Sequence, residues 1–198
     1  MIWTSPIVLA SASPRRREIL TLAGIPFTVC PADSEWAPAD LPPFERVMAL
    51  ARSKANQVAI HHPNRIILGS DTMVVLNEKV LGKPHSPQEA VEMLHTLSGN
   101  THQVMTGVWI IATDSAGNTV KQNGFTDVAG VSFYPLTDRE IEDYVASEEP
   151  LDKAGAYGIQ GSGMRFVEKI NGDFYTVMGL PGGRLVRFLG DFIADLQK

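Results

Sequence analysis

The chain has 198 residues, with 17 Lys+Arg against 22 Asp+Glu, a formal charge of −5, 44% hydrophobic residues and a single cysteine. That length suits one large domain or two joined lobes with a sizeable core, and Cys30 alone excludes a disulfide scaffold or a Cys-rich zinc site. The acidic balance disfavours extended contact with a nucleic-acid backbone, while leaving room for a local basic pocket that takes a small anion.

In chain order, residues 7–10 read as a short buried strand. Ser13 and Pro14 then supply an N-cap and a first-turn proline for a helix to about Ala23, which Gly24 can end. Residues 27–30 suit a second strand, and residues 44–61 carry Val47, Leu50, Ala51 and Val58 at the spacing of an amphipathic helix. Residues 65–69 form a third apolar strand. The polar triplet Ser70-Asp71-Thr72 then breaks the apolar pattern before a further run at 73–76.

Ser86-Pro-Gln-Glu89 reads as a capping box opening a helix, with Ala90, Met93, Leu94 and Leu97 on one face and Ser98-Gly99-Asn100 as its stop. Two β-prone stretches, 102–113 and 124–134, flank the turn residues 115–118 and predict a long hairpin. A second capping box, Thr137-Asp-Arg-Glu140, begins a helix to about Ser147, and Pro181 begins a C-terminal helix after glycine-rich chain. Strands interleaved with helices, plus a hairpin, predict an α/β fold with a mixed sheet flanked by helices. The apolar run 107–112 is only strand-length, so no membrane span is expected. No basic residue precedes Arg15, unlike a secretory signal, and the lone thiol fits a reducing cytoplasm.

The densest basic feature is Ser11-Ala-Ser-Pro-Arg-Arg-Arg17, at a strand-to-helix junction. Free N–H groups, hydroxyl donors and guanidinium forks there suit phosphate, a solvated helix face being the alternative. Asp71 is a carboxylate in apolar surroundings at a predicted strand end, hence a candidate acid-base or metal-binding residue, or else a turn acid paired with a backbone donor. Lys83, between Gly82 and Pro84, offers a point charge in a loop, but no glycine stands at the position before it that a P-loop requires. Lys153-Ala-Gly-Ala-Tyr-Gly-Ile-Gln-Gly161 lets backbone approach a ligand, and Gln160 has the donor and acceptor to read a base edge or brace the loop. His61 and His62 have no metal-site spacing, and no nucleophile elbow accompanies Ser11.

Taken together, these segments resemble the Maf family of nucleoside triphosphate pyrophosphatases from Ile7 to about Leu180. The resemblance is carried, in order, by Leu9-Ala-Ser-Ala-Ser-Pro-Arg-Arg16, Leu50-Ala-Arg-Ser-Lys-Ala55, Gly69-Ser-Asp-Thr72, Gly82-Lys-Pro84, Leu97-Ser-Gly99 with His102 and Thr106, Asp152 through Gly161, and Gly179-Leu-Pro181. It implies one Maf-like domain over 1–198, two lobes around a cleft, related to the inosine triphosphate pyrophosphatases. It also implies metal-dependent hydrolysis, with Mg²⁺ or Mn²⁺, of a nucleoside triphosphate to monophosphate and pyrophosphate. By matching position Asp71 is the general base, with Ser11, Arg16, Lys54 and Lys83 around the phosphates.

Three positions that separate branches of the family read Arg15, Thr72 and Gln160, which resembles the dTTP/UTP branch, modified pyrimidine nucleotides being a further substrate class. The 7-methyl-GTP branch would carry Ser-Pro-Trp-Arg, Ser-Asp-Gln and Ser-Glu-Gly there. One departure concerns the metal: the family often has paired acids after the second strand, whereas an ungapped match gives Glu35-Trp36. Glu35, Asp33, or Asp71 with the triphosphate alone are then the ways to hold the cation. The rival reading is a nucleotide-sensing regulatory protein with little turnover, linked to septum formation and cell division. No nucleic-acid or membrane partner is expected, and the resemblance allows a homodimer.

Overall fold

The structure is a computed structural model that describes residues 6–198. Its order is β1 (Ile7–Leu9), α1 (Pro14–Leu22), β2 (Phe27–Val29), α2 (Pro43–Ala59), β3 (Ile66–Leu76), β4 (Lys79–Leu81), α3 (Pro87–Leu97), β5 (Thr101–Thr113), β6 (Thr119–Phe133), α4 (Asp138–Val145), β7 (Val167–Asn171), α5 (Phe174–Met178) and α6 (Gly182–Leu196), with short 3-10 turns between α4 and β7. The strands form one mixed sheet in the order β2-β1-β3-β5-β6-β7, with β4 on β3. β1 runs parallel to β2 and β3, while β4 and β7 pair antiparallel with β3 and β6. No helix among the described residues is long and apolar enough to cross a membrane.

The backbone divides into two compact units: residues up to 71 with 106–127 and 179–198, and residues 72–105 with 128–178. The first is built on the parallel strands, where Val8, Ala55, Val58, Ile67 and Ile111 share a core. Its α2 lies very close to β3. A Cβ on Gly69 would overlap the Ala51 carbonyl oxygen and come within 2.9 Å of the Ala55 Cβ, so only glycine permits this approach. Gly69 and Asp71 share a strand face, and Ala51, Lys54 and Ala55 share a helix face, so the same approach brings Lys54 toward Asp71.

The second unit packs α3 and α4 around Leu94, Leu97, Phe133, Ile141, Tyr144 and Phe166. The Thr137 capping box forms as expected: its Oγ1 accepts from Glu140 N–H at 3.3 Å, and Glu140 Oε2 accepts from Thr137 N–H at 2.8 Å. At Ser86 the reciprocal bond is displaced by one residue. Ser86 Oγ accepts from Glu89 N–H at 3.2 Å, but Glu89 Oε2 accepts from the N–H of His85, at 2.7 Å.

The polar triplet does not interrupt the sheet. β3 is continuous through Ser70-Asp71-Thr72, so Asp71 stands mid-strand and not at a strand end. Pairing to neighbouring strands satisfies the backbone there irrespective of side-chain polarity. The predicted hairpin is present across residues 114–118, and its strands are longer than the sequence pattern suggested. The glycine-rich chain before α6 also holds β7 and α5, which at five residues each are too short to give an amphipathic signal.

Candidate active site

The predicted anion site lies where β1 hands over to α1. Ser13 caps the helix, its Oγ accepting from Arg16 N–H at 3.5 Å, and Pro14 occupies the first turn. Arg16 is 8% exposed, which is rare for a guanidinium. Its Nε donates to the Gly179 carbonyl at 2.9 Å, and one terminal nitrogen donates to Ser11 Oγ at 2.9 Å. Ser70 Oγ donates to the same Gly179 carbonyl at 3.1 Å. Gly179 thus fixes the planar fork of Arg16, and its own backbone adopts φ 116°. Burial pushes the Arg16 guanidinium below its ordinary value; Asp71 and Glu35 pull it back up, and Arg15 adds to the lowering. Arg15, half-buried, stands beside it at the start of α1.

Lys54, on α2, donates to Asp71 Oδ1 at 2.6 Å and pairs as well with the Glu35 carboxylate. The Lys54 and Asp71 side chains are only 16% and 13% exposed, which strengthens their attraction relative to a surface pair. Glu35 is delivered by a loop laced to α2. Gln57 Nε2 donates to Ser34 Oγ at 2.7 Å, Ser34 N–H donates to Gln57 Oε1 at 3.1 Å, and Trp36 N–H donates to Ser53 Oγ at 3.2 Å. Of the acids that follow β2, Glu35 meets Lys54, while the Trp36 side chain is 72% exposed.

Among the described residues there is no cluster of three or more His, Cys, Asp or Glu placed to hold a metal ion. Two carboxylates, Glu35 and Asp71, nevertheless converge on one cation, the Lys54 ammonium, which stands in for a positive charge at that point. Such a donor set does not make an all-protein cage. It fits a hard divalent ion that keeps waters and arrives with phosphate oxygens, taking one or two carboxylates from the protein.

Thr72, Lys83 and Gln160 belong to the second unit. Thr72 follows Asp71 in β3 and is half-buried. Lys83 is exposed in the loop after β4, and Gln160 is exposed in the chain 153–161. These two segments are joined where Gly155 N–H donates to the Gly82 carbonyl at 3.0 Å. In the same segment Tyr157 Oη lies 2.8 Å from the Nε2 of His102, a histidine only 1% exposed, and burial pulls that histidine down to about 4.

The sequence match to the family described as Maf-like protein runs over residues 6–192. The chain belongs to that family. This Maf-like chain is 50% identical over 191 residues to a protein named dTTP/UTP pyrophosphatase from Bacillus anthracis, covering 96% of this chain and 97% of the relative. It is 49% identical, with the same coverage, to another of that name from Bacillus mycoides strain KBAB4. Among solved structures, that of the Staphylococcus aureus Ham1 protein aligns over 65% of this chain and 72% of its own, at TM-score 0.43 and 15% identity.

The sequence singles out Arg16, Lys54, Asp71 and Glu35 as candidates, but not the groups that hold them in place. Ser70, Ser53, Gln57 and the Gly179 carbonyl had no assigned part, although Ser70 adjoins Asp71 and Gly179 lies in a quoted motif. Ser53, Lys54 and Gln57 lie close in the sequence of one helix. The helical periodicity carried a signal for their shared location, but none for the loop they hold.

Proposed function

We propose that this Maf-like chain hydrolyses dTTP and UTP, and pyrimidine nucleotides modified on the base, to the monophosphate and pyrophosphate. In this reading both units act as one domain, and water attacks the α-phosphate. The observation that carries it is a half-buried Asp71 held by Lys54, near the buried Arg16, in a chain half identical over nearly its whole length to proteins named for that activity.

Phosphoryl hydrolysis requires alignment and charge neutralisation more than covalent chemistry. Arg16 is oriented in advance by Gly179 and Ser11, so it can meet a phosphate oxygen without first losing rotamer freedom. Asp71 takes a proton from the attacking water, and Lys54 fixes one of its oxygens. A divalent cation held by Asp71 and Glu35 would neutralise triphosphate charge and acidify that water. Lys83 supplies a further cation to the polyphosphate. Arg15, Thr72 and Gln160 select the nucleotide, the Gln160 amide matching the O4 and N3–H edge of uracil or thymine with one donor and one acceptor. A reducing cytoplasm suits such an enzyme, its one thiol being the free Cys30.

The test is to incubate wild-type and Asp71→Asn protein with dTTP, UTP, CTP, GTP and 7-methyl-GTP plus Mg²⁺ or Mn²⁺, and to quantify monophosphate and pyrophosphate. Metal-dependent cleavage of dTTP and UTP, reduced about 10²–10⁴-fold in Asp71→Asn, is expected. Orthophosphate as the first product would overturn attack at the α-phosphate, and cleavage confined to other nucleotides would overturn the specificity.

A further inference from the structure

The chain carrying Gln160 is tied at both ends to one pair of side chains. Tyr144, on α4, accepts from Gly158 N–H at 3.1 Å and donates its own proton to Glu149 Oε1 at 3.0 Å. Glu149 Oε2 accepts from Ser162 N–H at 2.9 Å, and Gly163 N–H also donates to this carboxylate. One hydroxyl and one carboxylate therefore hold the backbone on either side of Gln160.

Two further observations show that this is a rigid tie. Tyr144 is 1% exposed and packs edge-on against Phe166 with ring centroids 5.0 Å apart, so its hydroxyl cannot swing away. The residue after Gln160 is Gly161, where a Cβ would overlap Glu149 Oε1 and stand 2.8 Å from Oε2. A carboxylate at the end of a free side chain would yield to that Cβ. This one is held by its donors, and its own backbone carbonyl accepts from Lys153 Nζ at 2.6 Å.

We propose that Glu149 and Tyr144 are positioning residues for nucleotide selection. They fix the Gln160 turn so that its amide meets a pyrimidine edge, and they take no part in bond cleavage. The inference rests on the proposed reading of Gln160 as the base-contacting residue and deepens it. The physical reason is pre-organisation: an amide on a glycine-flanked turn discriminates between bases only if the turn is ordered before the base arrives.

The test uses the full-length variants Tyr144→Phe, which removes one oxygen and keeps the ring packing, and Glu149→Gln, which keeps the shape of the side chain. Steady-state kinetics with dTTP and CTP are measured beside amide exchange of residues 158–163. For both variants the expected result is a rise of about tenfold in KM for dTTP with kcat near wild type. The dTTP-to-CTP ratio of kcat/KM should fall, and exchange should accelerate over wild type in 158–163 more than in α4. An unchanged dTTP-to-CTP ratio, or equal losses of kcat on both nucleotides, would overturn the inference by reducing the pair to a fold-stabilising role. If wild-type protein cleaves neither nucleotide, it is the functional reading that fails. Exchange unaltered in both variants would overturn the tie independently of turnover.

Discussion

Lys54 Nζ lies between two carboxylates, donating to Asp71 Oδ1 at 2.6 Å and pairing with Glu35, and the bare backbone of Gly69 is what lets its helix come so near. A single ammonium thus holds together one acid from a central strand and one from a loop. Replacing it by Met keeps the length of the side chain and removes the ammonium that both acids meet, leaving Arg16 as their remaining nearby positive charge. Lys54→Met is expected to lower kcat/KM for dTTP by about 10²-fold, the scale for losing one pre-organised charged contact at a reacting centre. Pyrophosphate release across a Mg²⁺ titration checks this, and an unchanged kcat/KM would exclude Lys54 from the reaction.

Gly69→Val tests the helix approach itself. The added methyls have nowhere to go except against the Ala51 carbonyl and the Ala55 Cβ, so α2 must shift from β3. A loss of about 1–3 kcal/mol of stability is expected. Urea denaturation should show a lower midpoint, accompanied by a loss of turnover beyond what the unfolded fraction explains, because Lys54 moves with the helix.

Arg16→Lys preserves the charge but not the fork that reaches both Gly179 and Ser11. Turnover of dTTP should fall sharply despite the retained cation. Ser70→Ala, which removes only the second donor to the Gly179 carbonyl, should have a much smaller effect. Parallel kcat/KM measurements decide the point, and equal effects of the two substitutions would count against a special orientation of Arg16.

His102 predicts an acid-sensitive fold. Its Nδ1 is buried with no hydrogen-bond partner among the described residues, and burial lowers the imidazole from 6.5 to about 4. Between those two values the unfolded chain binds the proton and the folded chain does not, so stability rises with pH across this window and falls on acidification. The loss from this one group is about 3 kcal/mol in full. His102→Gln should flatten the dependence of the urea midpoint on pH between 6.5 and 4. An unaltered slope would assign acid sensitivity to other groups.

Much of the fold was legible because its signals are local. Ser13-Pro14, Ser86-Pro87 and the Thr137–Glu140 capping box each mark a helix start through bonds made within one turn. Asp71 was misplaced at a strand end because polarity along the sequence imitates a break, whereas β3 is kept continuous by strands distant in sequence. β7 and α5 were missed for the related reason that short elements in glycine-rich chain owe their existence to neighbours and not to propensity.

The sequence by itself determined the family, the charged residues and the helix starts, since each is written in residue order or within a few residues of it. Only the tertiary structure decided that Glu35 joins Asp71 on Lys54, that Gly179 fixes Arg16, and that Glu149 and Tyr144 bracket Gln160. Those contacts depend on how closely a helix can approach a strand and on which carbonyl or carboxylate a fold leaves in reach. Such distances are set by packing, which no periodicity in the chain records.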